Sequence, residues 1–155
     1  MWNRKERGFT LVELMVVLLI IAVLMGIAVP LFLGARVRAQ DRAAQAAIRN
    51  TLTVAKVFYT DRQDFDATVA ELLTLEPNLQ VVLGNAPATK KVGYISLGSK
   101  DGNADQAVII LRKSASGSWF CLANQAKGSA AGVTYGTGAS GSALDTLAEC
   151  SGASW

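Results

Sequence analysis

No histidine occurs among the 155 residues, and there are only two cysteines and three prolines. Without histidine, the usual base for a serine or cysteine nucleophile is missing, so nucleophilic catalysis has no support. A zinc site fails on the same ground, since two thiolates leave a tetrahedron half empty. No G-x-x-x-x-G-K-S/T phosphate loop is present, and "GNAPATKK" lacks its pattern. The chain therefore reads as a non-enzyme with no metal and no cofactor. Charge is sparse as well, at 17% of residues and a net +3. Arg4, Lys5 and Arg7, set against Glu6, supply +2 of that within the first eight residues. The remainder of the chain is close to neutral and gives no general case for nucleic acid. Lys90, Lys91, Lys100, Arg112, Lys113 and Lys127 are scattered among acids, so DNA as a partner is not indicated.

Acidic groups are equally undistinguished. Asp61, Asp64 and Asp66 fall in a polar stretch where solvation and helix capping suffice. Asp101, Asn103 and Asp105 have the opening spacing of a calcium loop. Gln106 stands where the turn glycine belongs and Arg112 where the bidentate Glu belongs, which favours a polar hairpin turn.

What the chain has in excess is apolar length. Residues 14–33 are 20 positions without a charge, about 30 Å of helix, which matches a bilayer core and exceeds an ordinary signal-peptide core. Small residues that could precede a cut lie before this run, at Gly8, rather than after it. Cleavage after Gly8 would discard the basic leader and keep the apolar helix. It would also create an α-amino group on Phe9, on the same helix face as Glu13 four residues on. An ionised Glu in hydrocarbon costs several kcal/mol unless it is paired, so Glu13 marks a contact with its own amine or a neighbour's. The alternative is a carboxylate that snorkels to the interface.

The run Arg7-Gly8-Phe9-Thr10-Leu11-Val12-Glu13-Leu14, behind Lys5 and Arg7, resembles the processing motif of type IV prepilins. The resemblance implies cleavage between Gly8 and Phe9 by a membrane prepilin peptidase and N-methylation of Phe9. It also implies pairing of Glu13 with the Phe9 amine of an adjacent subunit, and a helix bend near Gly26 and Pro30, with Gly34 close by. The implied product is an extracellular pilus of identical subunits, powered by dedicated ATPase and platform machinery, that serves adhesion, motility or DNA uptake. Before assembly the chain would be a single-pass protein of the cytoplasmic membrane with its N-terminus inside. A pseudopilin of a secretion system or a minor pilin shares the motif. An uncleaved, anchored binding protein is the alternative from another class. Arg36, Arg38 and Arg42 rival the leader's basic residues, so the positive-inside rule does not separate these readings.

Three segments are expected: a leader at 1–8, a hydrophobic membrane or filament-core helix at 9–34, and a head at 35–155. The fold expected is α+β, the type IV pilin fold, with one long helix packed on an antiparallel sheet. Val37, Ala44, Ile48, Leu52, Ala55 and Tyr59 form one amphipathic stripe, which continues the helix from Phe9 to about Tyr59. Asp66 or Thr68 caps a short helix that Pro77 ends. Strands are expected at 79–83, 92–98, 107–113 and 118–124, with 107–111 the most deeply buried. Residues 127–142, mostly Gly, Ser, Ala and Thr, read as a mobile surface loop. In an exported chain, Cys121 and Cys150 would tether both ends of it as a disulfide worth roughly 3–4 kcal/mol; two buried thiols are the alternative.

Overall fold

A computed structural model describes residues 8–84, 91–97, 106–127, 131–144 and 146–155. The elements are α1 (Leu11–Arg62), α2 (Val69–Leu75), β1 (Val81–Leu83), β2 (Val92–Leu97), β3 (Ala107–Lys113), β4 (Trp119–Gln125), β5 (Gly132–Gly138) and a single 3-10 turn at Gly141–Ala143. The chain divides into two units, Met1–Arg38 and Ala39–Trp155.

In the first unit, α1 is apolar on every side, and its large apolar side chains from Leu11 to Leu33 are all exposed. A helix of that kind needs a non-aqueous neighbour around its whole circumference. It is long and apolar enough to cross a membrane. Pro30 sits inside it without ending it. Having no N–H, Pro30 leaves the carbonyl of Gly26, four residues back, without its helical donor.

In the second unit, α1 becomes amphipathic. Ala44, Ile48, Thr51, Leu52, Val54, Ala55 and Phe58 are buried. The expected stripe holds at Ala44, Ile48, Leu52 and Ala55, but Val37, which precedes this segment, is exposed. Gln63 ends the helix at a positive φ of 59°, and its N–H still bonds the Tyr59 carbonyl at 2.7 Å. Phe65 then folds back to stack on Tyr59 at 4.6 Å and accepts the buried Tyr94 hydroxyl at 2.7 Å through its carbonyl. Helix α2 opens with Thr68 as a full capping box with Glu71.

The five strands run in sequence order, β1-β2-β3-β4-β5. All neighbours are antiparallel except β1 and β2, which pair in parallel in the register Val81↔Val92. The antiparallel sheet expected from the sequence thus holds for β2 to β5, and β1 adds one parallel pair at its edge. The connection at 84–91 is too long for a two-residue hairpin turn, so nothing local forces a reversal. The parallel register also keeps Val81 and Val92 together in the core that α1 covers.

Alternation along the strands gives the sheet two buried faces. Val92, Tyr94, Val108, Ile110, Phe120 and Leu122 join the α1 residues in one core. Ile109, Leu111, Trp119, Cys121 and Ala123 form a second core with Leu144 and Cys150. Strand β3 contributes to both, which explains its unbroken apolar run, buried from Ala107 to Leu111 as expected.

The expected mobile loop at 127–142 is corrected by β5, a paired strand of seven residues within it. Its composition has a steric cause. Val133 and Tyr135 pack toward the α1 core, while Gly136 and Gly138 face the segment that carries Leu144 and Cys150. A Cβ on Gly136 would lie 2.8 Å from Cys121 Sγ and 2.8 Å from the Glu149 carbonyl oxygen. The glycines make room for a chain crossing the sheet.

Candidate functional site

The first turn of α1 gathers the residues singled out for processing and assembly. Gly8 and Phe9 immediately precede it, both exposed, with Phe9 91% accessible. Thr10 caps the helix, and its carbonyl accepts the Leu14 N–H at 3.3 Å. Glu13 closes the turn: its N–H donates to Thr10 Oγ1 at 3.2 Å. In return, the Thr10 N–H and hydroxyl both donate to Glu13 Oε2, each at 2.9 Å. This is a reciprocal capping box, with a carboxylate at the positive end of the helix dipole. Oε1 takes no hydrogen bond from the described residues.

Sequence reasoning weighed Glu13 against the Phe9 amine and against snorkelling to the interface, and missed Thr10. The signal was available as T-x-x-E, and it recurs twice more. Thr68 Oγ1 donates to Glu71 Oε2 at 2.7 Å, and Thr146 Oγ1 donates to Glu149 Oε2 at 2.8 Å. The chain therefore uses one local device at three turns. Placed at position 13, it gives an acid at the head of an apolar helix two donors of its own, before any partner arrives.

Gly26 and Pro30 lie further along the same exposed helix. The sequence-based residues Cys121 and Cys150 belong to the other unit, where they form a disulfide with Cα atoms 6.1 Å apart. The bridge holds the 141–150 segment over the second sheet face. Beyond it, Gly152 exchanges both backbone hydrogen bonds with Tyr135, at 2.8 and 2.7 Å. Trp155 Nε1 donates to the carbonyls of Cys121 at 2.8 Å and Gly136 at 3.1 Å. Its ring meets Tyr135 edge-on at 4.8 Å and lies under the Arg49 guanidinium, also at 4.8 Å. Sequence reasoning passed over Trp155 entirely. Nothing local marks it, because its partners are 19 and 34 positions away.

The basic residues Arg4, Lys5 and Arg7 and the 101–105 stretch lie outside the described residues. Arg112, assigned the place of the calcium loop's closing ligand, is instead a strand residue in β3.

Comparison with known proteins gives a family match on the N-terminal segment and a likeness to two relatives. The family model of the prokaryotic N-terminal methylation motif matches residues 3–29. The chain is 33% identical over 72 residues to the type IV wide pilus major component of Thermus thermophilus, covering 46% of this chain and 55% of that protein. It is 32% identical over 71 residues to the type IV major pilin protein of Myxococcus xanthus, covering 46% and 32%. The matched stretch thus spans about half the length of the first relative and a third of the second. No solved structure matches the chain.

Proposed function

From a methylation motif and a likeness to two major pilins that together support a type IV pilin, we propose that this chain is the structural subunit of a type IV pilus. The observation that carries the reading is an uncovered helix, apolar on all sides, that opens on a capped carboxylate just after a Gly8–Phe9 junction. Such a helix has two stable settings, a bilayer or a bundle of its own copies. Polymerisation is the exchange of the first for the second.

Each step has a basis in the residues of this helix. A peptidase removes residues 1–8, and the new Phe9 amine becomes N-methylated. In the membrane precursor, whose N-terminus lies on the cytoplasmic side, Thr10 donors already engage Glu13 Oε2, which lowers the cost of holding the acid near lipid. Oε1 stays open to the Phe9 amine of a neighbouring copy, and that ion pair sets the register as the helix leaves the bilayer. Pro30 and the unpaired Gly26 carbonyl make 26–34 the place where the helix bends or unwinds on entering the filament core. The exposed head carries the filament's surface contacts. No residue here supplies power, which falls to the assembly ATPase and platform.

The test is filament purification. Sheared surface filaments should consist mainly of this chain, and a Glu13→Ala strain should yield at least about tenfold fewer, as expected for loss of a desolvated ion pair. Filaments that lack the chain would contradict the reading. Normal filament yield from the Glu13→Ala strain would remove the register role alone.

A further inference from the structure

Arg112 has no role in the proposed assembly, yet its placement is unusual. It lies near the end of β3 and opens onto a cleft of about 160 Å³ between α1, the approach to β1, and β2. Its Nε is buried without a hydrogen-bond partner, and no ion pair engages the guanidinium among the described residues. Burial pulls its pKa below the ordinary arginine value, although a guanidinium keeps its proton under any working condition. The side chain is otherwise only partly buried, and a buried N–H with no acceptor is a costly feature for it to carry.

The rest of the lining indicates what would fill it. Asn50, Asn78 and Gln80, all exposed residues, border the cleft, and no side-chain hydrogen bond is formed by their carboxamides among the described residues. Thr51 is already committed, its hydroxyl donating to the Ala47 carbonyl at 3.0 Å. No carboxylate belongs to the lining, so the guanidinium has no internal counter-ion. The site thus offers one planar cation and several neutral amide donors in a space for only a few heavy atoms.

We propose that this cleft, built from Arg112, Asn50, Asn78 and Gln80, is a binding site for a carboxylate group. A guanidinium presents paired N–H donors at the spacing of carboxylate oxygens, and the amides add donors without adding charge. A phosphate is a poorer fit, since its second charge finds no second cation. The carboxylate has two sources, an acidic side chain of a second copy or a free small carboxylic acid. The site stands apart from the processing segment, and the first arm of its test does not depend on the filament reading.

That test uses the full chain, nitrogen-labelled and held in detergent micelles, with sodium acetate as the probe. The Arg112 side-chain Nε–H resonance is assigned by its loss in Arg112→Lys. Acetate should move it saturably in the millimolar range, and sodium chloride at equal ionic strength should not. Asn78→Ala, at an exposed position, should weaken acetate about tenfold while the Cys121–Cys150 bridge still forms. A resonance indifferent to acetate in the intact chain overturns the proposal, and this result stands even if Arg112→Lys fails to fold. Given the acetate response, the same displacement in assembled filaments without acetate assigns the carboxylate to a second copy. Its absence there assigns the site to a free acid.

Discussion

Gly136 shows how much of this molecule hangs on one missing side chain. Its hydrogen faces Cys121 Sγ and the Glu149 carbonyl, and Cys150 Cα lies only 3.1 Å from where a Cβ would stand. Gly136→Ala should therefore displace backbone and destabilise the head by about 2–3 kcal/mol. Gly138→Ala meets only the Leu144 side chain, at 3.1–3.4 Å, and should be milder. Chemical denaturation of the two variants orders them, and equal stabilities would show that the crossing segment is loosely held. Tyr94 makes a second residue-scale case. Burial first, then Asp64 and Asp66, raise its phenol pKa above the ordinary 10.0. Above pH 10 the unfolded chain releases this proton while the folded chain keeps it. Stability contributed by the neutral phenol is thus complete below pH 10 and falls above it, by at most about 1.4 kcal/mol per unit. Tyr94→Phe should flatten that decline between pH 10 and 11, while costing about 1 kcal/mol at neutral pH through the lost bond to Phe65. Urea melts of both proteins across this range check it, and parallel pH profiles would count against a buried, protonated phenol.

Elements divide by whether their cause is local. The long helix, α2 with its cap, and strands β2, β3 and β4 were legible, because apolar period, capping residues and β-branched runs act within a few positions. The sense of β1 was not legible, since three residues and a connection too long for a tight hairpin carry no directional signal. Strand β5 was misread for a physical reason. Its even-numbered glycines, Gly132, Gly136 and Gly138, resemble linker composition, yet two of them are small because Leu144 and Cys150 lie against them. Only the contact, which is remote in sequence, distinguishes a strand beneath a crossing chain from a loop. The disulfide should matter most here. Its 29-residue separation predicts a loss of roughly 3–4 kcal/mol in a Cys121→Ser, Cys150→Ser double variant. Hydrogen exchange should then quicken first in β5 and the 141–150 segment, and later in β3. Unchanged protection in β5 would mean that Tyr135 and Trp155 hold the edge without help.

At the scale of the whole molecule, the chain combines a helix that water does not suit with a head that folds around two cores. The methylation motif matched at residues 3–29 was legible, because basic residues, a Gly–Phe junction and one acid ahead of 20 uncharged residues lie within a single local stretch. The Thr10–Glu13 box is equally local, written as T-x-x-E at the head of the helix. The structure changes the meaning of Glu13 from a bare charge awaiting a partner to a capped one with a free oxygen to offer. Everything proposed for assembly depends on the amine that cleavage creates. The most direct measurement is the intact mass, with N-terminal fragmentation, of this chain recovered from surface filaments. The account predicts a chain that begins at N-methylated Phe9 and carries one intact disulfide. A filament chain that still begins at Met1, or any start other than Phe9, would contradict it.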